Sequence, residues 1–260
     1  MPFRLATEPA YPGRDNEDFA AVVSSGAVLL DGASAPRGWD TGCSHGVAWY
    51  TRRLGGLLLA NLDARLPLCE GLADAITTAA SLHANTCDLT NQQTPSATVV
   101  MVRLAGTELE YLVLSDSALA VEGDDGAIEV ITDGRMEDVK ARVAAAERPD
   151  DRARAILSQR NVSGGFWTAG ADPRAADEAI TGTLPLAKVR AFAALSDGAT
   201  RGIDLFASMT WEDCFDLIAE QGPHAVIDHV RQRERTDPDQ VRFPRSKRCD
   251  DATVVAWTPA

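Results

Sequence analysis

Residues 19–31 read FAAVVSSGAVLLD. Two short runs of Val, Leu and Ala flank Ser24-Ser25-Gly26, a pattern that predicts strands over 19–23 and 27–30 joined by a tight turn. A turn that short can join only antiparallel neighbours. The same punctuation recurs at Ala105-Gly106 and at Asp124-Asp125-Gly126. It separates strands expected over 98–104 and 109–115, and over 118–122 and 128–132. Two further strands are expected over 190–196 and 253–257. The chain is therefore constrained to build antiparallel sheet.

Helical spacing falls between these runs. Residues 45–64 place Val47, Tyr50, Leu54, Leu57, Leu58 and Leu62 largely on one helical face. Helices are also expected over 72–89, 136–146, 152–158, 211–219 and 225–235. Thr210 is a suitable N-cap for the fifth, with Asp213 at capping-box distance. The sixth follows Gly222-Pro223. Two sheets flanked by helices satisfy this order, and so does one sheet covered on one face.

The chain has 260 residues, 45% of them hydrophobic, which is enough for a full core. No linker or low-complexity tract divides it, so a single domain over 1–260 is expected. The net charge of −13 argues against nucleic acid or an anionic membrane as partner. No apolar leader is visible at the N-terminus, and the longest apolar stretch, LGGLLLANL (54–62), is too short to cross a bilayer. A cytoplasmic monomer is expected. Its five cysteines (43, 69, 87, 214 and 249) are odd in number and scattered, and are expected to stay reduced. Cys43 and His45 are zinc-type ligands, but two at that spacing lack a partner pair.

The functional signal lies where strands end. AVLLDGAS (27–34), YLVLSDSA (111–118) and FAALSDGA (192–199) each stop on a carboxylate: Asp31, Asp116 and Asp197. Folding the first hairpin about its turn sets Asp18 beside Asp31, with Glu17 one position further out. Asp250 and Asp251 open the last strand. Starts and ends of antiparallel strands share an edge, so one edge can gather Asp18, Asp31, Asp197 and Asp250. Like charges so placed repel unless a cation lies between them or a proton is retained. All-oxygen clusters suit hard ions such as Mg²⁺ or Mn²⁺. Gly32, lacking a Cβ, lets its carbonyl approach such an ion. Taken singly, Asp-Gly pairs are ordinary turn formers.

As an ordered set, RDNEDF (14–19), VLLDGAS (28–34), SATVV (96–100), VLSDSALAV (113–121), ALSDGATR (194–201) and CDDATVV (249–255) resemble the metal-dependent protein phosphatases, the type 2C Ser/Thr phosphatase family. The resemblance implies an α+β fold: a four-layer αββα sandwich of two antiparallel sheets flanked by helices. It implies two divalent metals, Mn²⁺ or Mg²⁺, and a phosphoprotein substrate. By position, Asp31 would bridge both metals and the Gly32 carbonyl would bind one. Asp197 and Asp250 would complete the other, while Glu17 and Asp18 would act directly or through water. Asp116 matches an Asp that shares a third, weaker metal with the Asp197 equivalent in some bacterial members.

The family's phosphate-binding Arg lies one residue upstream of Arg14, where this chain has Gly13; Arg14 is the candidate in its place. His45 is the nearest histidine in sequence to Asp31 and a candidate general acid, or simply a helix-terminal residue. The basic run Arg242, Arg245, Lys247 and Arg248 is either a solvated loop offsetting local acidity or a docking patch. Residues 135–185 match the family least; there the family carries a variable flap, which 161–170 either resemble or replace with an ordinary loop anchored by Phe166 and Trp167. Two other functions are compatible with the sequence: hydrolysis of a small phosphate ester on the same site, and a non-catalytic binding module.

Overall fold

Between β-strands that are apolar on both sides, alternation disappears from the sequence but not from the structure. The computed structural model describes residues 2–33, 35–36, 38–63, 66–144 and 148–259. In chain order, β1 (Phe3–Glu8), β2 (Phe19–Val23), β3 (Gly26–Leu30) and β4 (Gly32–Ala33) precede the helices α1 (Val47–Asn61) and α2 (Leu68–Ser81). Five strands follow: β5 (Ser96–Ala97), β6 (Val99–Ala105), β7 (Glu108–Leu114), β8 (Ala118–Gly123) and β9 (Ile128–Ile131). After α3 (Arg135–Val143) and α4 (Pro149–Leu157) come β10 (Ile180–Pro185) and β11 (Val189–Leu195). The chain finishes with α5 (Asp197–Asp204), α6 (Trp211–Gln221), α7 (His224–Thr236) and β12 (Ala252–Trp257).

One sheet runs β1-β12-β11-β8-β9 and the other β10-β7-β6-β3-β2, all antiparallel; β4 and β5 form a short ribbon. Successive side chains go to opposite faces. Val28 and Leu30 of β3, with Val99 and Met101 of β6, meet Leu54 and Leu58 of α1 and Leu72 and Ile76 of α2. Leu29, Val100 and Val102 point the other way, against Leu119, Val121, Phe192, Val255 and Trp257 of the facing sheet. On its outer face that sheet sends Ala193, Leu195 and Val254 against Phe215, Ile218 and Ile227. The layers are helix, sheet, sheet, helix, so the αββα arrangement holds. Each fully buried Leu, Ile or Val contributes about 1.5–3 kcal/mol to holding the layers together.

Register carries the acidic residues to one end. In β2–β3, Phe19 faces Leu30, so Asp18 and Asp31 come next. Leu195 faces Val254 on one side and Ala118 on the other, so Ser196, Thr253 and Ser117 follow, with Asp197 and Asp116 beyond. The second sheet closes on the same point, where Thr98 N donates to the Asp31 carbonyl at 2.9 Å.

Several elements depart from expectation. β1 and β10 were not anticipated; β10 pairs only with β7 and is exposed at alternate positions. Asp197 does not sit in a turn but opens α5, with Ser196 at its N-cap position. The helix expected over 72–89 spans Leu68–Ser81 instead. Beyond it the chain tightens into turns, with His83 N on Ala80 O at 3.2 Å and Thr86 N on His83 O at 3.0 Å, and then Asp88 N reaches across to Gly42 O at 2.7 Å. That cross-chain bond outcompetes helix continuation. The capping box at Thr210 and Asp213 forms as read, and α6 runs on to Gln221. Ala64 and Ala146, where two helices were expected to end, lie outside the described residues, as does Ser34.

Two glycines make the junctions possible. A Cβ on Gly198 would lie 1.8 Å from the Asp251 carbonyl oxygen, and one on Gly32 would lie 2.5 Å from both the Glu17 carbonyl oxygen and Val47 Cγ1. Each follows one of the strand-ending carboxylates, so the chain bearing Asp197 packs directly on the Asp250–Asp251 segment, and the chain bearing Asp31 on Glu17. Gly198→Ala should therefore destabilise by about 1–3 kcal/mol through overpacking. Gly56→Ala, on α1 with open space at its Cβ, should be neutral or stabilising by up to about 1 kcal/mol. Denaturant midpoints check both; equal stability of the two variants would sink the packing account.

Candidate metal centre

Asp18, Asp31, Asp197, Asp250 and Asp116 come together at the end of the two sheets, close enough that their charges act on one another. Asp18 is buried, and its Oδ2 accepts from Thr253 Oγ1 at 2.7 Å, while its backbone N–H donates to Asn16 Oδ1 at 2.9 Å. Asp31 Oδ2 accepts from the Asp197 N–H at 3.2 Å. Asp250 is held from two sides: Arg201 donates to Oδ2 at 3.0 Å and Lys247 to Oδ1 at 2.8 Å. Arg201 is itself anchored on buried Glu234 at 2.7 Å, and Arg231 bridges Glu234 to the Asp250 carbonyl. Removing one member of so buried a charge network costs about 3–5 kcal/mol.

Asp251 is turned away from this group. Its carboxylate accepts from Ala10 N at 2.6 Å and Glu17 N at 2.7 Å, so it fixes the loop that presents Glu17 and Asp18. Ser115, at φ 70°, redirects the chain so that Asp116 follows β7, and its hydroxyl bonds to Asp116 at 3.2 Å.

The electrostatics show strain between like charges. Burial raises Asp18 to about 7, against opposing hydrogen bonds from Thr253 and Ser196, and the charges of Asp251 and Asp197 add to the rise. Asp31 is held well above the usual carboxylate range by desolvation and then by Asp197, Asp18, Asp250 and Asp116. Asp197 is exposed as a residue, yet its carboxylate is crowded by those of Asp250 and Asp116. Desolvation there, with Asp250 and Asp116, raises it to about 6, partly offset by Arg201 and Lys247. Burial works against the Lys247 ammonium, but Asp250, Asp31 and Asp197 outweigh it and hold its pKa above the usual lysine range.

These acids fit hard divalent ions by donor chemistry: all are oxygen ligands whose repulsion a cation would relieve. Among the described residues, no three of them bring an oxygen each within 4.8 Å of one another.

The sequence model of the family described as Protein phosphatase 2C matches residues 10–230. The chain belongs to the protein phosphatase 2C family. No curated protein matches this phosphatase by sequence. Solved structures match its fold across nearly the full length. The Mycobacterium tuberculosis serine/threonine phosphatase PstP/Ppp superposes with a TM-score of 0.64 at 15% identity, over 99% of this chain and 98% of that one. The Staphylococcus aureus serine/threonine phosphatase Stp1 gives 0.61 at 14% identity, over 99% and 94%. The catalytic domain of PstP in complex with two manganese ions gives 0.61 at 15% identity, over 98% and 96%.

Two candidates from the sequence contact other groups. Arg14 is exposed and lies over the Tyr11 ring at 5.7 Å. His45 turns its Nδ1 to the sulfurs of Cys87 and Cys43, at 3.4 and 3.7 Å, and stacks on Trp49. The other histidines also bond elsewhere: His83 to Cys43, His224 to Glu8 and Asp228, His229 to Ser208. Among the described residues, none bonds to a carboxylate of the cluster. Of the basic run, Arg245 folds onto Asp237 at 2.7 Å and Lys247 onto Asp250, so these two offset local acidity. Phe166 and Trp167 are buried, as anchors of the 161–170 segment. Sequence reading missed Thr253, Ser196, Arg201 and Glu234. Arg201 and Thr253 stood inside the quoted blocks; Glu234 gave no signal, being an ordinary charge on a helix.

The raised carboxylates set a sign for pH. Asp18 and Asp197 hold protons more tightly folded than unfolded, so the metal-free protein binds more protons than its unfolded chain between about pH 4 and pH 7. Their contribution to stability is full below pH 4 and is lost as pH rises through 6 to 7. Calorimetry on chelator-treated protein should show this loss, and Mn²⁺ binding near pH 6 should release protons. Identical heats of Mn²⁺ binding in buffers of different ionisation enthalpy would count against it.

Proposed function

We propose that this phosphatase hydrolyses phosphoserine and phosphothreonine esters in proteins, using two divalent cations, Mn²⁺ or Mg²⁺. The observation that supports this best is the ring of mutually repelling carboxylates at the end of both sheets, in a chain of this family. Asp31 would be shared between the two ions, with the Gly32 carbonyl and Glu17 on one side and Asp197 and Asp250 on the other. Asp18 would act directly or through water. Asp116 with Asp197 would take a third ion more weakly. When bound, such a pair supplies a water of lowered pKa for in-line attack on phosphorus and offsets charge on the phosphoryl oxygens.

The chain's own residues set the stage for that chemistry. Thr253 and Ser196 orient Asp18, and Arg201 with Lys247 fixes Asp250, so the ligands are held before any ion arrives. Arg14 stands on the same loop as Glu17, exposed, and is assigned to bind the phosphate. With His45 Nδ1 turned to the thiols, the proton for the leaving alkoxide is assigned to solvent. In this reading residues 1–260 form one catalytic domain, working as a cytoplasmic monomer with neither nucleic acid nor membrane as partner. Among the described residues, no helix is long and apolar enough to cross a membrane.

The wild type should hydrolyse p-nitrophenyl phosphate and phosphopeptides only with Mn²⁺ or Mg²⁺. Asp31→Asn and Asp197→Asn should each lower kcat by about 100-fold or more, the scale of a lost electrostatic stabiliser. Wild-type rates in both variants would overturn the two-ion assignment. Faster turnover of sugar phosphates than of phosphopeptides would move the substrate from proteins to small esters, and binding of phosphopeptide without turnover would make this a binding module.

A further inference from the structure

We propose that Cys43, His45, His83 and Cys87 form a second metal site, a closed tetrahedral site for zinc that staples the lead-in to α1 onto the turns after α2. One ligand atom from each of the four residues lies within 4.8 Å of all the others. His45 Nδ1 is 3.7 Å from Cys43 Sγ and 3.4 Å from Cys87 Sγ, and His83 Nδ1 is 3.4 Å from Cys43 Sγ. A tetrahedron with Zn–S of about 2.3 Å and Zn–N of about 2.0–2.1 Å sets its sulfur and nitrogen corners about 3.5 Å apart. The sulfurs are 2.8 Å apart and would separate by about 1 Å on binding.

The donor set chooses its metal. Two thiols and two imidazoles suit zinc and do not suit the hard ions that carboxylates prefer. Two thiolates and two neutral imidazoles also balance the charge of one divalent ion. Without an ion only one of the two sulfurs leans towards the thiolate. Burial works against a thiolate at Cys87, but hydrogen bonds from Cys43, His45, His83 and Thr86 outweigh it and bring that thiol down to about 5. Burial and the Cys87 sulfur push Cys43 up to about 11.

The frame around the four is built before any ion binds. Asp88 N–H donates to Gly42 O at 2.7 Å, a backbone bond that ties the two ligand-bearing segments, and the Thr94 hydroxyl donates to Thr41 O at 3.2 Å beside it. Trp49 stacks on His45, with ring centroids 4.0 Å apart, and meets the edge of His83 at 5.3 Å. His83 is only 2% exposed, and its Nε2 has no hydrogen-bond partner among the described residues. Among the described residues that buried ring turns its Nδ1 to sulfur, a weak hydrogen-bond partner and a good position for ligation.

Four protein ligands leave no open position, so the site is structural rather than catalytic. Its place in the chain gives it a task. Cys43 and His45 lie between the Asp31–Gly32 pair and α1, whose Val47 packs where a Cβ on Gly32 would be. Zinc here would brace the segment that follows the central carboxylate without touching the carboxylates themselves.

The test uses the full-length protein, reduced and kept apart from added zinc after purification. Elemental analysis should find one zinc per chain, and Asp31→Asn should retain it. Replacement by Co²⁺ should give thiolate-to-metal charge-transfer bands and tetrahedral d–d bands. Cys43→Ser and Cys87→Ser should each abolish those bands, whereas Cys69→Ser should keep them. Stripping the zinc with a strong chelator should lower Tm by about 5 °C or more at saturating Mn²⁺. If reduced wild type takes up no zinc and shows no Co²⁺–thiolate bands, the site is overturned, whether or not the serine variants fold. A Cys43–Cys87 disulfide that persists in reductant, read as a 2 Da loss in intact mass, would overturn it equally. Either result would leave Mn²⁺-dependent phosphatase activity untouched, so the two proposals fail separately.

Discussion

Carboxylates set side by side in a half-dry cleft repel one another, and this repulsion organises the end of the molecule where both sheets meet. Asp18, Asp31 and Asp197 each hold their protons longer than a free acid would, first because burial strips them of water and then because neighbours of the same sign crowd them. A fold selected for stability alone would not gather them there. The protein tolerates the cluster by answering it locally. Lys247 and Arg201 clamp Asp250, Thr253 orients Asp18, and Asp251 is diverted to backbone N–H groups of the 10–17 loop. In the proposed function the remaining charge is left for cations, which would tie folding stability to metal binding.

Rigidity at this end comes from packing rather than from the acids. Strands β3, β6, β11 and β12 are buried on both faces, so the register that aligns their ends cannot slip without moving apolar side chains between cores. The glycines that follow Asp31 and Asp197 then let neighbouring chain approach to a distance that no other residue permits. Strand register fixes where each carboxylate begins, and glycine fixes how close its neighbours come.

Much of this was legible in the sequence. Tight turns forced antiparallel pairing, and hairpin counting alone put Asp18 beside Asp31, as the Phe19–Leu30 register bears out. Strands buried on both faces hid their alternation, so the choice between one sheet and two needed the family resemblance. β10 was missed because ITGTLP carries too few apolar residues to announce a strand; it gains its partner only from β7. The helix expected over 72–89 shows what helical spacing cannot decide. Leu82 continues the apolar pattern, yet a bond from Asp88 to Gly42, 46 residues back, ends the helix early. The pair that Cys43 and His45 lacked lay inside that expected helix and was not read as such. His83 and Cys87 are four apart, and read as an i, i+4 metal pair they would have been visible on a helix as well.

The two ends of the chain meet at the cleft. β1 lies against β12, Asp251 holds the N–H groups of Ala10 and Glu17, and Thr253 holds Asp18, across separations of 234 to 241 residues. During synthesis the first carboxylates leave the ribosome long before the strand that completes their surroundings. Asp18 and Asp31 can find each other early, within their own hairpin, but Asp250 follows Asp31 by 219 residues (250 − 31). A nascent chain that has not yet reached residue 250 thus carries an incomplete carboxylate cluster, and the surroundings of Asp18 close only once β12 has paired.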